Sequence, residues 1–198
     1  VAGVARATRR PLVVADLPFG SYEASDAQAV LSAAALMKAG AHAVKLEGGV
    51  RVRSRIEAIV AAGIPVMGHV GFTPQAEHSI GGYRVAGRDE DAADRTVADA
   101  CAVAEAGAFA MVLEMVTAPT ASRIHEVVHV PTVGIGSGPD CDAQVLVWQD
   151  MAGMNDDGRL SFVKRYADLR RELRSAAEAF AREVEDGSYP DAAHSFDA

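Results

Sequence analysis

Met37-Lys38-Ala39-Gly40 running into Ala41-His42-Ala43-Val44-Lys45-Leu46-Glu47 decides the fold. An Ala-rich helical stretch ends in a small residue and a glycine, and a short apolar strand follows at once. Glycine after a helix adopts the left-handed C′ conformation cheaply, which closes the helix. The same pattern returns at Val60-Ala61-Ala62-Gly63 before Ile64-Pro65-Val66-Met67-Gly68-His69. It returns again at Ala104-Glu105-Ala106-Gly107 before Ala108-Phe109-Ala110-Met111-Val112-Leu113-Glu114. Strands that alternate with helices pair in parallel, because a helical crossover brings the chain back to the same end.

Working outward, apolar strands are expected at 12–17, 43–47, 66–70, Ala110–Glu114, Thr132–Ile135 and 145–148. Helices are expected over Asp26–Lys38, 54–62, 92–106 and Ala118–Val127, with a long amphipathic helix over 160–186. The glycine-rich stretch from Gly81 to Arg88 reads as a loop. No low-complexity linker interrupts the chain, so residues 1–198 read as a single domain. Six parallel strands suit either an open doubly wound sheet or part of a (β/α)₈ barrel. A complete barrel takes roughly 250 residues, about two βα units more than this chain supplies.

The chain is 198 residues long with a formal net charge of −8, which argues against nucleic acid or an anionic membrane as a standing partner. An anionic substrate must then be met by local positive charge. Its two cysteines, Cys101 and Cys141, show no metal-type spacing and favour a reducing cytoplasm over a disulfide scaffold. No apolar run approaches the roughly 20 residues of a membrane span. The chain opens on Val1, which suggests an alternative start, a processed chain or a fragment.

Four of the apolar strands end in ionisable residues: Val13-Val14-Ala15-Asp16, Val44-Lys45-Leu46-Glu47, Val66-Met67-Gly68-His69 and Val112-Leu113-Glu114. In parallel α/β folds the ligand site lies at the carboxyl ends of the strands. Lys45 and Glu47 are two residues apart and share a face. Buried charge is expensive unless it is paired or binds something. Each residue has a plainer reading: Asp16 can cap the next helix, Lys45 and Glu47 can form a structural ion pair, and His69 can be a satisfied core histidine. Packing alone explains four such strands poorly.

Other candidates stay closer to structure. Gly134-Ile135-Gly136-Ser137-Gly138 can cradle an anion through backbone N–H groups but does not complete a dinucleotide fingerprint. Cys101 falls inside a helix, and Cys141 has no matched base. His42, His78, His125, His129 and His194 form no metal-ligand spacing. The arginines of the last helix read as a solvated or interface face.

The stretches from Ala15 to Tyr22, Val44 to Gly49, Gly68 to Gln75 and Gly81 to Arg88, with Leu113 to Val116, Gly134 to Gly138 and Phe162 to Tyr166, resemble the ketopantoate hydroxymethyltransferase family in its actinobacterial form. The likeness runs in order over essentially the whole chain. It implies a TIM (β/α)₈ barrel of the phosphoenolpyruvate/pyruvate superfamily, present here as about six of the eight βα units. It implies transfer of a hydroxymethyl group from the co-substrate 5,10-methylenetetrahydrofolate to 3-methyl-2-oxobutanoate, giving ketopantoate on the route to pantothenate. Carried over by position, Asp16 is a Mg²⁺ ligand, Glu47 ligates the metal or lies in its outer sphere, Asp16, Lys45 and His69 meet the substrate, and Glu114 is the catalytic base. The resemblance further implies a cytoplasmic homodecamer whose partners are small molecules rather than nucleic acid or membrane.

The departures sharpen these expectations. The family's first two βα units, including an Asp-Ser pair whose Asp also ligates the metal, have no counterpart here. Thr117 stands where relatives often have Pro, and Ala143 where they usually have Gly. A catalytically inactive remnant that only oligomerises is therefore the alternative reading. A superfamily member acting on phosphoenolpyruvate or isocitrate-like acids is a third, weakened by the specificity of the run from Gly68 to Gln75.

Overall fold

The computed structural model describes residues 1–155, 158 and 160–196. The chain divides into two compact units, Val1–Val145 and Leu146–Ala198, where the sequence suggested a single domain over 1–198. Within that span, residues 156, 157, 159, 197 and 198 lie outside the described residues.

The first unit opens with a short helix, α1 (Ala2–Ala7), which periodicity did not indicate. Strands β1 (Val14–Asp16), β2 (Ala43–Lys45), β3 (Val66–Gly71), β4 (Ala110–Glu114), β5 (Thr132–Ile135) and β6 (Ala143–Gln144) follow, all pairing in parallel. Between them lie α2 (Asp26–Lys38), α3 (Arg53–Ala61), the single turn α4 (Glu77–Ile80), α5 (Glu90–Glu105) and α6 (Ala118–Val127). The strand order is β1-β2-β3-β4-β5-β6 without reversal. A doubly wound sheet reverses its order at a switch point. A sheet that always advances keeps its right-handed crossovers on one side, which is barrel winding. Accordingly α2 packs on α3, α3 on α5 and α5 on α6. The sheet is a six-stranded arc of a (β/α) barrel.

Local chemistry sets the helix ends. Ser25 caps α2 by accepting from the Gln28 N–H, and Asp89 caps α5 by accepting from the Ala92 N–H, with Glu90 and Asp91 in the first turn where the helix dipole favours them. The strands sort their side chains by alternation. Val44, Leu46, Val66, Val70, Met111 and Leu113 are buried in one core with Ile56, Ile59, Ala100, Val103 and Ile124 of the helices. Residues of the opposite parity, Lys45, Glu47, His69 and Glu114, point to the other face. Gly68 lets α5 lie close, since a Cβ there would fall 2.2 Å from Val103 Cγ1.

Two expectations shift. The sixth strand, expected over 145–148, is Ala143–Gln144, and 148–151 instead forms a short helix, α7 (Trp148–Met151). Val133↔Ala143 and Gly134↔Gln144 set the register, and Val145 only adds a bond to the Gly134 carbonyl. Among the described residues no further strand covers this edge. Val145, Val147 and Trp148 stay half-exposed, so the apolar run does not become a buried strand. The last helix, expected over 160–186, is α8 (Leu169–Asp186), because Asp168 accepts from the Arg171 N–H and starts it there. Helices α7 and α8 belong to the second unit. Among the described residues no helix is long and apolar enough to cross a membrane.

Candidate functional site

The carboxyl ends of β1 to β4 place five side chains side by side. Register explains it: Asp16 pairs with Lys45, His69 lies level with Val112, and Gly71 lies level with Glu114. Lys45 Nζ sits 2.7 Å from Asp16 Oδ1, 3.4 Å from His69 Nδ1 and 4.0 Å from Glu47 Oε1. His69 Nδ1 is 3.7 Å from Glu47 Oε1. On the other side of the ring, His69 Nε2 lies 3.1 Å from Glu114 Oε2. Every residue the sequence singled out for this site is therefore in one cluster. Asp16 is half-exposed and marks the open side, whereas Glu47 and His69 are buried.

His69 Nε2 stands close to a carboxylate yet makes no hydrogen bond, because the Glu114 oxygen lies off the ring N–H direction. A buried polar atom left this way is costly unless something else engages it. Its position between Lys45 and Glu114 makes it a donor available to an oxygen atom entering the cluster.

Burial pushes the Glu47 carboxyl above the ordinary carboxylate range, outweighing the Gln75 N–H bond and the nearby His69 and Lys45, which lower it. A carboxyl raised in the folded state binds its proton more tightly folded than unfolded. Its contribution to stability is then full below the unfolded value and is lost as pH rises through the folded one. Glu47→Gln removes that loss. The variant should gain stability relative to the parent as pH rises from the ordinary carboxylate range, about pH 4, through the raised folded-state value, seen as a widening gap between urea midpoints. A gap independent of pH would refute the assignment.

The backbone beyond Glu114 is unusual. Met115 has φ +48°, the one left-handed non-glycine among the described residues. Such a conformation in a bulky residue persists only when its surroundings hold it. Here Met115 N–H donates to the Ile135 carbonyl at 2.9 Å, and Ala86 N–H donates to the Met115 carbonyl at 2.8 Å. The loop from Gly81 to Arg88 is thus tied to the turn that follows Glu114. The Ser137 hydroxyl donates to the Leu113 carbonyl at 2.7 Å and accepts from the Val116 N–H at 3.1 Å. The glycine-rich segment read as a possible anion cradle thereby spends its hydroxyl inward, bracing β4. Ser137→Ala should cost about 1–3 kcal/mol by leaving the buried Val116 N–H unpaired, measurable by urea unfolding. A loss below about 0.5 kcal/mol would show that the brace is dispensable.

Two participants, Tyr22 and Gln75, carried no role in the sequence analysis. Tyr22 is buried, its phenol pushed up to about 12 chiefly by burial, and its hydroxyl donates to Gln75 Oε1 at 2.8 Å. The Gln75 N–H donates to Glu47 Oε2 at 2.9 Å. The available signal was a tyrosine soon after a strand end, whose hydroxyl needs a partner once the ring is buried. Among the described residues no three His, Cys, Asp or Glu side chains form a metal-binding group.

Comparison with known proteins bears on the family and the fold. The family model for ketopantoate hydroxymethyltransferase matches residues 1–192. A 3-methyl-2-oxobutanoate hydroxymethyltransferase of Saccharopolyspora erythraea is 60% identical over 198 residues, all of this chain and 67% of that protein. One from Acidothermus cellulolyticus is 59% identical over 194 residues, 98% of this chain and 71% of that protein. Among solved structures, 2,3-dimethylmalate lyase, a member of the PEP mutase/isocitrate lyase superfamily, superposes with a TM-score of 0.52 at 17% identity, covering 94% of this chain and 65% of that one. That likeness concerns the fold alone. At up to 60% identity along its whole length, the chain belongs to the ketopantoate hydroxymethyltransferase family.

Proposed function

We propose that the cluster binds 3-methyl-2-oxobutanoate, removes its C3 proton and adds a one-carbon unit from 5,10-methylenetetrahydrofolate to give ketopantoate. The observation that carries this reading is His69 Nε2, buried, without a hydrogen bond and 3.1 Å from Glu114 Oε2. A buried ring nitrogen beside a carboxylate supports the reading, because a keto oxygen could meet the one and the hydrogen on the adjacent carbon the other.

The residues present suit Mg²⁺. Asp16 and Glu47 offer oxygen donors, and Mg²⁺ keeps several waters, so one or two carboxylates are enough. When bound, the ion would polarise the keto and carboxylate oxygens of the substrate. The chain's own groups do the remainder. Glu114 takes the C3 proton, within reach of the ring edge it already neighbours. The Lys45 ammonium and His69 meet the oxygen on which negative charge collects as the C3–H bond breaks. The C3 electron pair then forms the bond to the one-carbon unit, both of that unit's bonds to folate nitrogens break, water supplies the hydroxyl oxygen, and the two freed nitrogens take up the proton removed from C3 and one proton of the water. A homo-oligomer belongs to the same reading.

Exchange of the C3 hydrogen of 3-methyl-2-oxobutanoate in D₂O, with Mg²⁺ and without folate, tests the reading. Mg²⁺-dependent exchange well above the protein-free rate is expected on a chain of the relatives' full length. Failure there would remove the assigned chemistry. Exchange by the full-length chain but not by these 198 residues would favour the inactive, oligomerising reading for this chain.

A further inference from the structure

Gln75 joins three strand ends. Pro74 before it has no N–H, so Gln75 provides the first backbone donor within the turn Pro74–Ala76, and that donor goes to Glu47 Oε2 at 2.9 Å. Its side-chain Nε2 donates to the Leu17 carbonyl at 2.9 Å, and its Oε1 accepts from the Tyr22 hydroxyl at 2.8 Å. A flipped amide would set oxygen against the Leu17 oxygen, so the network settles its orientation. Tyr22 Oη in turn accepts from the Glu47 N–H at 3.3 Å, and the Leu17 N–H donates to the Lys45 carbonyl at 2.8 Å. The circuit is closed: Glu47 to Tyr22, Tyr22 to Gln75, Gln75 back to Glu47, with an arm to the residue after Asp16.

We propose that Gln75, acting with Tyr22, is a positioning residue that sets the spacing and aim of the Asp16 and Glu47 carboxylates. Gln75 holds Glu47 Oε2, so Oε1 is the oxygen left facing Lys45 and His69. The arm to Leu17 fixes the chain immediately beyond Asp16. The role rests on the functional reading above, in which these two carboxylates hold the metal. Groups that orient ligands in this way typically change metal affinity about 10–100-fold when lost.

The test uses Gln75→Met, which keeps length and loses both side-chain bonds, and Tyr22→Phe, which deletes one oxygen atom. Amide hydrogen exchange is followed residue by residue by NMR, and Mn²⁺ binding by calorimetry, on the whole chain. In each folded variant the Glu47 and Gln75 amides should exchange about tenfold faster, with Val70 and Leu113 in the sheet unchanged. Mn²⁺ should bind about tenfold more weakly. The double variant should be little worse than either single one, because the bonds form one circuit. Unchanged exchange at Glu47, or acceleration spread evenly over the sheet, overturns the proposal. So does faster local exchange with unaltered Mn²⁺ affinity. Should Gln75→Met not fold, Tyr22→Phe decides the same question by the same two measurements. If the parent chain itself binds no Mn²⁺, the metal-holding part of the functional reading falls for these 198 residues and the positioning role falls with it, whereas the exchange rates still decide whether the clamp exists.

Discussion

Glu114→Gln, introduced on a chain of the relatives' full length, should slow C3 hydrogen exchange of 3-methyl-2-oxobutanoate by roughly 10²–10⁴-fold, the usual contribution of a positioned general base. The substitution keeps the size of the side chain and removes its capacity to hold the proton. Glu114 ends β4, is mostly buried, and has its Oε2 3.1 Å from His69 Nε2. Its aim does not depend on its own charge alone. Ser137 braces Leu113 just before it, and Met115 is held in a left-handed turn just after it. The amide should therefore occupy the place of the carboxylate, and Mg²⁺-dependent binding of the keto acid should change by no more than a few fold. NMR exchange kinetics and calorimetry read the two quantities separately. Unchanged exchange would remove Glu114 from the role of base. Loss of binding together with exchange would assign it to holding the substrate instead.

Gly71→Ala should be the most destabilising single methyl group at this rim. Gly71 has φ +94°, and a Cβ there would lie 2.3 Å from the Glu114 carbonyl oxygen and 2.6 Å from Val116 Cγ2. The first contact is with backbone, which cannot turn aside as a side chain can. It is also a backbone in use, since the Phe72 N–H donates to that same Glu114 oxygen at 2.8 Å. Left-handed strain of about 1–2 kcal/mol and overpacking of about 1–3 kcal/mol together predict a loss of about 2–5 kcal/mol. A domain's whole stability is about 5–15 kcal/mol, so partial unfolding at 37 °C is within reach. Gly63→Ala separates the two causes. Gly63 has φ +81° with nothing within 4 Å of its Cβ position, so only the conformational part, about 1 kcal/mol, applies. Equal urea midpoints for the two variants would show that the close approach to Glu114 is not rigid.

Much of this was legible in the order of the residues. Helix Asp26–Lys38, helix Ala118–Val127 and strands Ala110–Glu114 and Thr132–Ile135 appear where periodicity and end signals put them. These are local effects: caps, glycine stops and apolar alternation act within a few residues of chain. The ends of the sheet were less legible. Expected strands over 12–17 and 145–148 became Val14–Asp16 and Ala143–Gln144, because an edge strand extends only as far as its one neighbour pairs with it.

The site divides along the same line. By itself the sequence determined that Asp16, Lys45, Glu47, His69 and Glu114 come at the carboxyl ends of successive strands, and parallel pairing carries such ends to one side. Only the tertiary structure decided how they meet. The register set Lys45 between Asp16 and His69, and the packing left His69 Nε2 without a hydrogen bond 3.1 Å from Glu114 Oε2. It also recruited Tyr22, Gln75 and Ser137, whose bonds span 53, 28 and 24 residues of chain. Local rules cannot anticipate them, because a hydrogen bond needs its two atoms within about 3 Å along a suitable direction, and for residues so far apart only the packed fold supplies that.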